Sequence, residues 1–109
     1  MTDLDRLHEA SLGHRAGRGR GNTFRACHEI AQEILMEQPV IFYVAAQIRH
    51  IRSMMPMFLD ILKEHSIEVT QRQHEKIWAG KSIVIFTSIE FINWQILHYK
   101  KYSIVYDND

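Results

Sequence analysis

The sequence predicts a small three-layer α/β domain with a mainly parallel sheet. Helical and strand-like runs alternate along the 109-residue chain, which is typical of α/β organisation. The run VIFYVAA, residues 40–46, is continuously apolar, as in a central strand covered on both faces. With 46% hydrophobic and 24% charged residues, the composition is that of a folded globular protein. The length suits a single domain over residues 1–109.

The amino-terminal part of the chain predicts a helix followed by a loop. Residues 2–12 place three leucines on one side of a short amphipathic helix, with Thr2 or Asp3 as its cap. Residues 13–23 form a Gly/Arg-rich loop, because its four glycines would cost too much backbone entropy inside a helix. The α/β core then spans residues 24–109.

The next three elements are a helix, a strand and a second helix. A helix is expected from residue 22 to about residue 38, and Pro39 ends it. Its predicted buried stripe consists of Phe24, Cys27, Ala31, Ile34 and Leu35. After the strand at residues 40–46, residues 47–65 form an amphipathic helix. Pro56 either kinks this helix or begins a second helix that Ser53 caps.

The last elements are strands separated by one helix. SIEVTQ (66–71) and SIVIFT (82–87) read as strands. Thr87 and Glu90 have the spacing of a capping box, which predicts the start of a helix that carries Ile89, Ile92 and Ile96. The chain closes with YSIVYDND, an apolar strand that ends in acidic residues.

Charge and cysteine content limit the class of protein. Thirteen basic residues balance thirteen acidic ones, so any attraction to nucleic acid must be local. One local basic segment exists, and we expect any nucleic-acid contact there: Arg15, Arg18, Arg20 and Arg25. A single cysteine fits a reducing compartment, and no apolar run is long enough to cross a bilayer. We therefore expect a cytoplasmic protein without membrane contact. The seven histidines are scattered and give no zinc-ligand spacing.

The segment AGRGRGNT, residues 16–23, has the spacing of a phosphate-binding loop. The motif is Gly or Ala, four residues, then Gly-Lys-Ser/Thr, and only Asn22 departs from it, at the lysine. Glycines let backbone N–H groups converge on phosphate oxygens, and the following helix favours an anion at its amino terminus. The predicted cofactor-binding residues are Gly17, Arg18, Gly19, Arg20, Gly21, Asn22 and Thr23.

The order of motifs resembles the first half of the ATPase core of phage terminase large subunits and superfamily 2 helicases. There a phosphate loop and its helix lead to a strand with a segment that faces nucleic acid, here YVAAQIRHIRSMM. A strand like SIVIFTS and a short helix follow, and then a metal-binding strand, here SIVYD. The resemblance covers about residues 13–109. It implies a viral or helicase-related nucleotide-binding protein, in the host cytoplasm if it is viral.

The resemblance also implies roles for individual residues. Thr23 and Asp107 would hold Mg²⁺, and the loop would bind ATP or ADP. Asn108 stands where the family has the glutamate that polarises water. Asn22 is a second departure at a functional position, and the apolar strand before the loop and the later strands of the family are missing. The residues present therefore imply at most a degenerate ATPase with slow or no hydrolysis.

Two other interpretations of the same residues stay open. The GRGRG stretch is also typical of a disordered connector that binds nucleic-acid backbone through charge alone. A sheet of this kind also leaves open edges, which favour a protein partner or a second copy of the chain. The alternative function is therefore a non-enzymatic interaction protein.

Overall fold

The computed structural model describes residues 21–107 of the chain. The predicted helix at residues 2–12, residues 13–20 of the Gly/Arg loop and residues 108–109 lie outside the described residues. The helices are α1 (Gly21–Leu35), α2 (Ile48–Glu64) and α3 (Ile92–Gln95), and a 3₁₀ turn, Ile96–His98, extends α3. The strands are β1 (Val40–Ala45), β2 (Val69–Gln73), β3 (Lys76–Ala79), β4 (Ser82–Ser88) and β5 (Ser103–Tyr106).

The five strands form one mixed sheet in the order β2-β3-β4-β1-β5. β1 lies at the centre of a parallel group and pairs with β4 on one side and β5 on the other. β3 pairs antiparallel with both β2 and β4. The α/β class is therefore confirmed, but the expectation of a mainly parallel sheet needs correction, because parallel and antiparallel pairings are equally frequent.

The antiparallel pairings come from a strand that the pattern did not predict. Residues KIWA form β3, and a turn of two residues, Gly80 and Lys81, joins β3 directly to β4. Gly80 has φ 57°, a left-handed conformation that glycine adopts without steric cost. So short a connection forces the two strands to run in opposite directions.

Helices α1 and α2 cover one face of the sheet. The side chains of β1 alternate, so that Ile41, Tyr43 and Ala45 face these helices. In α1 the buried stripe consists of Ala26, Cys27, Ile30, Ala31 and Ile34. The prediction that Phe24 and Leu35 join this stripe was wrong, since they are 51% and 52% exposed. Both side chains lie outside the buried side of the helix.

Helix α2 continues through Pro56, which is exposed. The second helix that Ser53 would cap does not form. The buried residues of α2 lie on both sides of the proline: Ile51, Met54, Phe58, Ile61 and Leu62. Their burial stabilises the helix by more than the one backbone hydrogen bond that the proline removes.

The other face of the sheet is covered by α3 and the chain that follows it. Val40, Phe42 and Val44 pack there against Ile92 and Ile96. The predicted capping box was wrong: Thr87 is buried within β4, and α3 begins after Phe91 without a side-chain cap. β4 extends to Ser88, so the hydroxyl of Thr87 belongs to the sheet.

Two leucines test how the core is distributed. Leu62 is fully buried under the sheet, whereas Leu97 is 77% exposed on the opposite face. Leu62→Ala should lower the free energy of unfolding by about 2–5 kcal/mol, and Leu97→Ala should change it by less than about 0.5 kcal/mol. Urea denaturation of both variants measures this difference. Equal losses would contradict the described packing.

Candidate functional site at the carboxyl ends of β1 and β5

Four polar side chains meet where β1 and β5 end. Tyr43 belongs to β1, and Asp107 follows the last residue of β5 directly. His50 lies in the first turn of α2, and Thr23 in the first turn of α1. Because β1 and β5 are parallel, their carboxyl ends meet at the same edge of the sheet, which is where α/β proteins bind ligands.

The Asp107 carboxylate is the buried charge of this site. Its side chain has no solvent exposure, and its backbone N–H donates to the carbonyl of Val44 at 2.9 Å, which holds it against β1. The Tyr43 hydroxyl donates to Asp107 Oδ2. His50 Nε2 lies 2.8 Å from the same oxygen. These contacts stabilise a carboxylate that would otherwise be costly to bury.

His50 joins Asp107 to Thr23. An ionised carboxylate only accepts hydrogen bonds, so His50 Nε2 carries the hydrogen. Thr23 Oγ1 lies 3.1 Å from the same nitrogen. A Ser-His-Asp arrangement needs the acid on one ring nitrogen and the hydroxyl on the other. The present geometry therefore does not activate Thr23 as a nucleophile.

The structure brings some of the predicted site residues together. Thr23 and Asp107, predicted as the metal ligands, both contact His50. Gly21, Asn22 and Thr23 lie inside helix α1 rather than in the loop. Asn108 lies outside the described residues. So do the remaining predicted loop and arginine positions, which are Arg15, Gly17, Arg18, Gly19 and Arg20.

Arg25 is described and exposed. Its Nη2 donates to Asn22 Oδ1 at 3.3 Å. A guanidinium therefore lies beside the position that lysine holds in phosphate-binding loops.

Sequence reasoning missed Tyr43 and His50. The hydroxyl of a tyrosine inside an apolar strand needs a partner when the strand is buried, and that signal was present in VIFYVAA. His50 lies in the first turn of the helix that directly follows β1, so a parallel neighbouring strand would place its own end close by. Neither signal names the partner, because the adjacency of β1 and β5 is a tertiary feature.

Cys27 lies beside this site and is fully buried. Burial raises the pKa of its thiol from 9.0 to about 12, and the negative charge of Asp107 contributes further. The neighbouring His28 instead places Nδ1 3.1 Å from His65 Nε2, near the end of α2. Cys27 is thus a neutral core residue, as the sequence predicted, and has no role as a nucleophile.

Comparisons with known proteins gave no match. No family model, curated protein or solved structure matches it significantly. Among residues 21–107, no group of three or more histidine, cysteine, aspartate or glutamate side chains is placed to hold a metal ion. No helix in this range combines the length and apolar character needed to cross a bilayer.

The buried thiol makes stability depend on alkaline pH. The unfolded thiol ionises near pH 9.0 and the folded thiol only near 12. Cys27 therefore stabilises the fold below pH 9, and this contribution declines as pH rises, by up to about 1.4 kcal/mol per unit. Urea denaturation at pH 8 and at about pH 10.5 gives the free energy of unfolding at each pH. Between the two, this free energy should fall less for Cys27→Ala than for the unsubstituted protein. Equal losses in the two proteins would contradict the assigned environment.

Proposed function

We propose that the protein binds the phosphate groups of a nucleotide, with slow or no hydrolysis, at the carboxyl ends of β1 and β5. One observation carries the proposal. Thr23, which follows the Gly/Arg segment, and Asp107, at the far end of the described chain, both contact His50 Nε2. Two residues that a phosphate-loop site would require therefore lie at one place.

The amino terminus of α1 supplies a setting for an anion. The first N–H groups of a helix have no partners within the helix, and the helix dipole places partial positive charge there. α1 has fifteen residues and no acidic residue in its first turn. It begins at Gly21, directly after the GRGR sequence. Phosphate oxygens are the type of ligand that this arrangement favours.

Thr23 and Asp107 fit the chemistry of Mg²⁺. The ion prefers oxygen ligands, and proteins bind it through one or two side chains together with phosphates and water. A hydroxyl and a carboxylate are such ligands. The ion would neutralise charge on the phosphates. Since Asp107 Oδ2 is in contact with His50, we propose that His50 gives up this contact when the nucleotide is bound.

The absence of the loop lysine explains why we propose binding with little turnover. Asn22 brings no charge to the position, and the lost charge-assisted contact is worth about 1.5–3 kcal/mol. The guanidinium of Arg25, bonded to Asn22, supplies positive charge nearby. This charge lies beside the lysine position rather than at it. It can therefore attract phosphate, but it is not positioned to stabilise the charge that develops in a transition state.

The motif order supports the same proposal. The resemblance to the ATPase core of phage terminases and superfamily 2 helicases includes a strand after the phosphate-loop helix and a later metal-binding strand, which correspond to β1 and β5. On this basis we propose a degenerate member of such an ATPase family, with a DNA-packaging or helicase-related origin.

Two aspartates provide a matched test of the site. Asp107 is buried at the site, whereas Asp60 is exposed on α2. Isothermal titration with Mg-ATP and Mg-ADP should give binding that Asp107→Asn reduces by at least about tenfold and Asp60→Asn leaves unchanged. Circular dichroism checks that both variants fold. The absence of binding heat up to millimolar nucleotide, with a folded protein, would overturn the proposal.

A gain-of-function variant tests the loop itself. Asn22→Lys restores the charge that the phosphate-loop motif requires, at a partly exposed position that tolerates a longer side chain. The affinity for Mg-ATP should rise by about tenfold or more. Gln32→Lys, at an exposed position further along α1, adds the same charge away from the site and should have no effect. Equal affinities of Asn22→Lys and the unsubstituted protein would show that the helix start does not face phosphate.

A further inference from the structure

Three large apolar side chains point into solvent on the face of the sheet opposite the site. Phe91, Trp94 and Leu97 are 45%, 74% and 77% exposed. Their spacing of three residues places them on one side of α3 and the following 3₁₀ turn. The other side of this segment is buried through Ile92 and Ile96. Contiguous exposed apolar side chains of this kind mark interaction surfaces.

A groove runs beside this apolar row, along β3 and β4. One part, which we call the upper part, has a volume of about 370 Å³ and lies between Ile48, Thr87 and Trp94. The lower part, about 280 Å³, lies between Lys76, Ile85 and Tyr99. Gln95 lines both parts, and Ile85 and Thr87 are alternate residues of β4 that face the same side. The two parts therefore adjoin at Gln95.

Gln95 brings an unsatisfied acceptor to this groove. Its Oε1 is buried and has no hydrogen-bond partner among the described residues. A buried polar atom without a partner destabilises a protein. An occupant that donates an N–H here would remove that cost, and the regular donor of extended polypeptide is its backbone amide.

The two parts of the groove are lined by side chains of opposite charge. Glu75 lines the upper part. Lys76 and His98 line the lower part. All three are exposed, so they select the orientation and the sequence of an occupant more than they add to affinity.

We propose that this groove binds an extended polypeptide segment. The segment places an apolar side chain between Trp94 and Ile48 and donates a backbone N–H to Gln95 Oε1. It directs a basic residue toward Glu75 and an acidic residue toward Lys76 and His98. A nucleic-acid strand fits less well, because the acidic side chain of Glu75 lines the groove beside its aromatic residues. The inference is independent of nucleotide binding.

A peptide library tests the proposal directly. Random twelve-residue peptides displayed on phage are selected on the full chain and counter-selected on Trp94→Ala. The expected consensus has an apolar anchor with Lys or Arg on one side and Asp or Glu on the other. A synthetic peptide of that consensus should bind at least about tenfold more tightly to the unsubstituted protein than to Trp94→Ala. Asn93→Ala, an exposed neighbour in α3, should bind it normally.

A charge exchange separates recognition from misfolding. Glu75→Lys should lower the affinity for the consensus peptide by about tenfold. A peptide with an acidic residue in place of the basic one should bind this variant with the original affinity. Three outcomes would overturn the proposal. These are selection without a consensus, binding of a twenty-nucleotide oligothymidine that requires Trp94, and a concentration-dependent dimer that Trp94→Ala abolishes.

Discussion

The constraint on which this structure depends is the burial of one carboxylate. Asp107 has no exposed side-chain surface, and an unpartnered charge in such a place would oppose folding by several kcal/mol or more. Its partners, Tyr43 and His50, come from β1 and from the first turn of α2. His50 in turn contacts Thr23 at the start of α1. The polar cluster therefore links the two large helices to two strands.

This cluster also explains why the parallel half of the sheet is the part that forms the site. β1 is fully buried, and the neighbours on either side run in its direction. Helix α2 follows β1 after a short connection, so its first turn is fixed next to the strand ends. The first turn of α2 takes part in both features of the molecule: Ile48 lines the groove, and His50 contacts the Asp107 carboxylate.

The helices and the buried strands could be predicted from the sequence because their signals are local. Apolar spacing identified α1 and α2, and the continuous apolar runs identified β1 and β4. β3 escaped prediction because KIWA is too short to show a period, and its place is set by the tight turn at Gly80. For the site, Thr23 was predicted from motif spacing, and Asp107 from the resemblance to the ATPase core. Tyr43 and His50 were not, because only tertiary structure shows that β5 ends beside β1.

The proposed nucleotide site requires that phosphate contacts both the start of α1 and the end of β5. Backbone amide chemical shifts, followed while Mg-ADP is added, report on both places at once. If phosphate binds there, the amide signals of Gly21, Asn22 and Thr23 shift together with that of Asp107, while those of His74 and Glu75 in the β2–β3 turn stay in place. Unchanged signals at the start of α1, or shifts confined to the β2–β3 turn, would contradict it.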